Sequence, residues 1–374
     1  FSGWQAQLEK ERAAWAAEKA GLEAQLAEAK QIAPPPPTII EKEKLVPMPA
    51  DIDPREIITQ LQSIRIAQGS GQSRNIRIVI QHLENLIACG PRALEPIREF
   101  LHLNQEVDYE SWMSPRPSRD GRISTSFVLP PSLRFGLFDA VRRIGGEEGE
   151  QLLVEILDVT GRGAEVAYLA RVLQEMAPDK YRERAVYAAR ELLSNPPPEN
   201  SGGLDRYDRE YLYGVLSFFG DTSYASEAHA QLAMADGSIN AGALRYLQQT
   251  LGEQALPMIY QHYQNPNLNA SGKERLGRFA LNFAGANPQA DALWSTAVLD
   301  PAIPLRNRDD LIEDLAEDGF ENRRNPTERD LAIAKNRLAL IEKYRSSADH
   351  ERIAGAFAEA QRDLQRILER SSNN

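Results

Sequence analysis

The sequence predicts an all-α protein, an α-solenoid of about six to seven stacked antiparallel helical hairpins preceded by a long N-terminal helix. Three observations predict it. Apolar residues recur at helical spacing in segments of roughly 12 to 18 residues, as in Ile76-Val79-Ile80-Leu83-Leu86-Ile87 and Leu331-Ile333-Ala334-Leu338-Leu340-Ile341. The segments break at Gly, Pro and Asn, and no long alternating β-pattern competes with them. The breaks are themselves periodic. Gly145-Gly146, Ala177-Pro178, Phe219-Gly220, Leu251-Gly252, Ala284-Gly285 and Asp318-Gly319 follow one another at about 32 to 34 residues, with one interval of about 42.

The first element, residues 1–32, is rich in Ala, Glu, Lys, Gln and Leu, and Gly21 is its only poor helix former, so a single long helix is expected. Phe1, Leu8, Trp15, Leu22 and Ala29 recur every seventh residue, the spacing of one coiled-coil seam. The companion seam is weak, with Trp4 followed by Glu11, Glu18 and Gln25. Two readings follow: self-association into a homo-oligomer through Leu8, Trp15, Leu22 and Ala29, or a solvated single helix held by Glu-Lys pairs. Phe1 and Trp4 also fit a juxtamembrane stalk, and a first residue other than Met leaves room for a signal or membrane anchor upstream.

The second element, residues 33–50, contains Pro34 to Pro37, Pro47 and Pro49 around Glu41-Lys42-Glu43-Lys44. Proline fixes φ and removes a donor, so this stretch reads as a semi-rigid extended spacer, or as a polyproline ligand. Residues 51–345 then carry the repeats. The long interval contains Asn195-Pro196-Pro197-Pro198-Glu199-Asn200-Ser201-Gly202-Gly203, a loop of about the missing length, and the stretch from Asn104 to Pro131 is a second insertion. Residues 346–374 are expected to form a capping helix and a frayed tail from Ser371 to Asn374.

At each periodic turn a helix ending in apolar-apolar-x-Gly is followed within a few residues by another apolar helix. Leu86-Ile87-Ala88-Cys89-Gly90 precedes Ala93-Leu94-Pro96-Ile97-Phe100-Leu101, and Leu247-Gln248-Gln249-Thr250-Leu251-Gly252 precedes Ala255-Leu256-Met258-Ile259-Tyr260. In this pattern, from Arg74 to Tyr344, the chain resembles the HEAT-repeat superfamily in its short bacterial form. The repeats are shorter than the roughly 40 residues usual for that family. Their period also matches tetratricopeptide repeats, and Ala292-Leu293-Trp294 to Ala297-Val298-Leu299-Asp300-Pro301 looks like one, but the remaining Trp, Leu-Gly and Tyr positions of that family are missing. The segment from Pro131 to Ala189, with Thr160-Gly161-Arg162-Gly163, is similar to HEAT-containing bacterial proteins that carry a stalk before the repeats. The resemblance implies a protein-binding scaffold and transfers no active site.

Composition sets the function classes. A formal charge of −11 disfavours a general phosphate-backbone binder, so nucleic acid is not an expected partner. One cysteine, Cys89, excludes an intramolecular disulfide and a multi-cysteine zinc site, and its apolar surroundings read as structural. The compartment stays open between cytoplasm and periplasm. No run of about 18 apolar residues spans a bilayer. His82, His102, His229, His262 and His350 are scattered without metal-ligand spacing, and no phosphate-loop, dinucleotide, zincin or nucleophile-elbow motif occurs. Asp309 to Gly319 fails as a calcium loop, because with Gly319 at the sixth position the third and twelfth would be Ala316 and Asn325; Leu311, Ile312 and Leu315 read instead as an amphipathic helix with a solvated acidic face. No catalytic residue, cofactor or metal site is therefore assigned.

The insertion is the feature that stands out, because long loops inside compact repeats are often functional. Tyr109, Trp112 and Met113 lie beside Arg116, Arg119 and Arg122, the composition of a protein-binding hot spot. The alternative is a loop packed over the edge of the repeats. The expected function is a non-enzymatic protein-binding or assembly scaffold. A structural component of a larger assembly, anchored at a membrane or not, and a HEAT-like lyase or nucleic-acid-acting enzyme subunit stand as alternatives.

Overall fold

The computed structural model describes residues 52–67, 69, 71–109, 118, 123–197 and 205–372, together with residues 15 and 19–21. Two units are distinguished, Phe1–Ile52 and Asp53–Asn374. In the first, residues 15 and 19–21 are helical and the Trp15 side chain is 75% exposed. Leu8, Leu22, Ala29 and the proline-rich residues 33–50 lie outside the described residues.

The second unit is all-α among its described residues, with no strand and only two isolated bridges, Asp108 to Ser132 and Ala233 to Ile239. It opens with α1 (Pro54–Ser63), α2 (Gln72–Ala88) and α3 (Leu94–His102). After the insertion come α4 (Leu133–Ile144), α5 (Gly146–Val159), α6 (Gly163–Met176), α7 (Arg182–Ser194) and α8 (Asp208–Phe218). The chain continues through α9 (Ala225–Ala230), α10 (Ala241–Leu251), α11 (Leu256–Tyr263), α12 (Ala270–Leu281) and α13 (Pro288–Leu299). It closes with α14 (Leu305–Glu313), α15 (Glu328–Tyr344) and α16 (Glu351–Ser372).

Each helix from α4 to α7 packs against its successor, and helices two apart also pack: α2 on α4, α4 on α6, α6 on α8 and α8 on α10, with α1 on α3, α3 on α5 and α5 on α7. A helix with neighbours on all sides must be apolar all round. In α6 every residue from Gly163 to Ala170 is buried, Glu165 included. Beyond α10 the pattern changes. Packing between α10 and α12 is slight; α11 packs on α13, α12 on α13 and α14, and α16 covers both α14 and α15.

Several helices are shorter than the sequence spacing predicts, with α9 running six residues and α11 eight. The 3-10 turns Gly90–Ala93 and Gly252–Ala255 take up the first residues of what the periodicity reads as whole helices. At the other end, α16 continues to Ser372, so Ser371 and Ser372 are helical rather than frayed. The start of α15 is sharply set by a capping box. Thr327 accepts from the Asp330 N–H, and the Asp330 side chain accepts from the backbone of Thr327.

Two turns gain their meaning from a side chain packed into them. Gly285 (φ 81°) and Gly319 (φ 78°) hold left-handed backbone, and a Cβ on either would stand within 3 Å of Arg337. Arg337 is 0% exposed on α15. Its Nε donates to Ala284 O at 2.8 Å, Nη2 to Leu281 O at 2.7 Å, and Nη1 to Leu315 O at 2.5 Å and Asp318 O at 2.6 Å. One guanidinium thus satisfies the carbonyls left open where α12 and the turn after α14 end. Burial lowers its pKa to about 10, opposed by the charges of Asp318 and Asp291, so it stays cationic at neutral pH.

The acidic segment is helical where the spacing reads it so, with Leu311, Ile312, Leu315 and Ala316 buried. Its acidic face is less solvated than expected. Asp309 is only 8% exposed and accepts from Arg352, while Asp314 accepts from Arg278. These ion pairs tie α14 to α16 and α12.

Candidate functional site

The insertion after α3 is built inward at both of its ends. Tyr109 N donates to Pro131 O at 3.0 Å and Leu133 N to Val107 O at 2.9 Å, which closes the base of the loop. Tyr109 is 0% exposed, and Val107, Ile123 and Leu129 are buried beside it in the sequence of the loop. This corrects the expectation for Tyr109: the loop's base folds back on α4, so the ring packs inside the body and offers no outward face. On the return, Phe127 stacks on Tyr168 of α6 at 5.9 Å and meets Phe135 edge-on at 6.1 Å. Trp112, Met113, Arg116, Arg119 and Arg122 lie outside the described residues.

A charged network fixes the same region. Arg134 (2% exposed) and Glu165 (0%) form a bidentate pair at 2.6 and 2.8 Å, while Arg134 Nη1 also donates to Leu101 O at 2.8 Å. Thr160 Oγ1 donates to Glu165 Oε2 at 2.7 Å. Arg162 pairs with Glu106 from the loop and donates to Asp205 Oδ1 at 2.8 Å, so the start of one insertion and the end of the other meet on Thr160-Gly161-Arg162-Gly163. Asp208, the first residue of α8, accepts from Ala164 N at 3.0 Å, and Gly163 leaves room for it: a Cβ there would meet Asp208 O at 2.5 Å. Burial raises the Asp208 pKa to about 6 against its backbone donors, and burial raises Glu106 against the charge of Arg162. Every guanidinium here is already paired and enclosed, so the network positions the helices and presents no group to a ligand.

The outward chemistry lies one helix further on. Ala185, Val186, Ala188, Ala189 and Leu193 turn the inner face of α7 into the core, which leaves Arg182, Arg184 and Tyr187 on the outer face. Tyr187 is 69% exposed. It lies in an open cleft of about 560 Å³ whose walls include Arg182, Arg184, Arg190, Asp158 and Asp221. Arg184 Nη1 donates to Asp158 at 2.8 Å across a pair whose side chains are 54% and 44% exposed. Arg190 holds Asp221 at 2.5 and 3.1 Å, and Arg182 donates to Phe219 O at 2.9 Å. Ion pairs this exposed are worth about 0–1 kcal/mol, so Arg184 exchanges its partner for an incoming carboxylate at small cost. Tyrosine with arginine is the composition that dominates binding energy at protein interfaces.

The sequence carried a signal for this face that spacing alone does not rank. Arg184, Tyr187 and Arg190 follow one another at intervals of three on a helix whose other face is Ala and Val. A second arrangement also emerges only in three dimensions: His229 and His262, read as scattered, stack edge-to-face with ring centroids 4.6 Å apart. Cys89 is half-buried, and burial pushes its thiol up from the ordinary value. Among the described residues no three His, Cys, Asp or Glu side chains are grouped to hold a metal ion, and no helix is long and apolar enough to cross a membrane. The chain matches no family model, no curated protein and no solved structure.

Proposed function

We propose that the protein is a non-enzymatic binding scaffold whose helices form a HEAT-like α-solenoid of about six to seven hairpins, and that the outer face of α7 receives a protein partner. The single observation that carries the binding reading is Tyr187, 69% exposed in the cleft between Arg182, Arg184 and Arg190. The solenoid reading is supported by side-chain links that recur at one period. Arg134–Glu165 and Arg190–Asp221 span 31 residues and His262–His229 spans 33. The partner that fits is a segment carrying carboxylates beside an apolar side chain: carboxylates for the arginines, the apolar group against the Tyr187 ring.

The full chain is to be screened against an array of short acidic peptides containing Leu or Phe. Binding is expected, and Tyr187→Ala and Arg184→Glu are each expected to weaken it by about tenfold or more, roughly 1.4 kcal/mol. No binding, or binding unchanged in both variants, contradicts the proposal.

A second reading, assembly through the N-terminal helix, is favoured by Trp15. An indole 75% exposed on a helical stretch, in register with Leu8, Leu22 and Ala29, is a surface that a second copy would cover. Light scattering coupled to size-exclusion chromatography is expected to show a defined oligomer for the full chain and a monomer for Trp15→Glu. A monomeric full chain removes this reading and leaves the α7 reading standing.

A further inference from the structure

His229 on α9 and His262 on α11 lie at the place where the packing pattern of the helices changes. Packing between α10 and α12 is slight, and α10 reaches α11 through the turn Gly252–Ala255, which packs on both; further links join the helices up to α10 to those from α11 onward. Among them are Asn269 N donating to Gly237 O at 2.9 Å, Asn269 Nδ2 donating to Asp236 O at 3.3 Å, and the histidine pair. The two rings meet edge-to-face at 4.6 Å and 77°. His262 Nε2 lies 2.9 Å from His229 O, and against a carbonyl that nitrogen carries the hydrogen. His229 Nε2 is buried with no hydrogen-bond partner among the described residues.

Most charged groups around the pair are engaged elsewhere. Of the elements packed on α11, Glu253 accepts from Asn287, Lys273 pairs with Asp300, Arg278 pairs with Asp314 and Glu274, and Asp291 accepts from Gly285 N. Arg275 on α12 is exposed. On α9 and α10 the charged residues are Glu227 and Arg245, and Asp236 between those helices accepts from Ser238.

We propose that the His229–His262 contact is an acid-opened joint between the helices up to α10 and those from α11 onward. The neutral His262 ring packs edge-to-face on His229; a protonated His262 sets a charge at that half-buried contact, and water becomes the better environment for it. Burial holds His262 below its ordinary value of 6.5, opposed by its bond to the His229 backbone and reinforced by the charge of His229. A folded value below the unfolded one means that the opened state binds the proton more tightly. The joint's contribution is therefore fully present above about pH 6.5 and is lost as the pH falls through the folded value of His262.

The test is amide hydrogen exchange on the full chain at about pH 7.5 and about pH 5, corrected for intrinsic rates. Amides of α9, α11 and residues 265–269 are expected to exchange at least about tenfold faster at the lower pH, with those of α4 to α6 unchanged. In His229→Phe/His262→Gln, which keeps the ring contact surface and the donor to the backbone but cannot titrate, the acid response is expected to vanish. A flat wild-type response, an increase spread equally over α4 to α6, or a full acid response in the double variant each overturns the proposal.

Discussion

Arg337→Met is expected to lower the free energy of unfolding by about 3 to 5 kcal/mol, because it leaves four buried carbonyls without their donor. The side chain is 0% exposed and donates to four carbonyls, those of Leu281, Ala284, Leu315 and Asp318. Methionine fills much of the volume and returns none of the hydrogen bonds. Each buried carbonyl left unpaired costs about 1 to 3 kcal/mol before relaxation, so even partial rehydration leaves a large deficit. Lysine keeps the charge but has one nitrogen where the guanidinium has three spread over the two turns, so Arg337→Lys is expected to recover only part of the loss. Urea denaturation followed by far-ultraviolet circular dichroism measures both. A loss below about 1 kcal/mol for Arg337→Met would show that the carbonyls find other partners.

The second large effect concerns Arg134 and Glu165. Arg134→Met or Glu165→Leu alone is expected to cost about 3 to 5 kcal/mol, because each leaves the other charge buried and uncompensated. In the double variant both charges are gone, and the combined loss is expected to be smaller than either single loss, with Thr160 and the Leu101 carbonyl stranded and Arg162 keeping Glu106 and Asp205. A double-mutant cycle on urea midpoints measures the coupling. Additive single losses would mean that the pair acts as two independent hydrogen-bonded groups.

Both buried arginines show where sequence reading stops. Leu133, Leu137 and Val141 mark one apolar face of α4, and Arg134 precedes Phe138 by one turn within the same buried set. Likewise Asp330, Ile333, Ala334, Arg337 and Ile341 are the buried residues of α15 and lie along one helical face. A charged residue inside an apolar stripe is legible as a position. Its partners are not, because Glu165 and the carbonyls of Leu281 and Leu315 come from helices whose neighbours spacing does not reveal. The turns were more legible. Gly145, Gly220, Gly252, Gly285 and Gly319, picked out by their period, all have positive φ, because a left-handed residue ends a helix with least strain when it lacks a Cβ.

The histidine pair illustrates a signal present but unused. Its 33-residue separation falls within the 32 to 34 residues that separate the periodic helix breaks in the sequence. For the inserted loop, composition left Tyr109 open between a binding surface and a loop packed over the repeat edge, and the structure buries it above the backbone bonds at the loop's base. Aromatic residues serve cores and interfaces equally well, so composition alone does not separate the two. Tyr187 is the converse case, an aromatic residue left outside because Val186 and Ala189 take the inner face of α7.

The central claim, that the outer face of α7 receives an acidic protein segment, is tested most directly by amide hydrogen exchange on the full chain with and without the tightest-binding acidic peptide of the array. Slower exchange in α7 and around residues 158 and 219–221, absent in Tyr187→Ala, is the predicted result. Protection confined to other helices, with α7 unchanged, would contradict it.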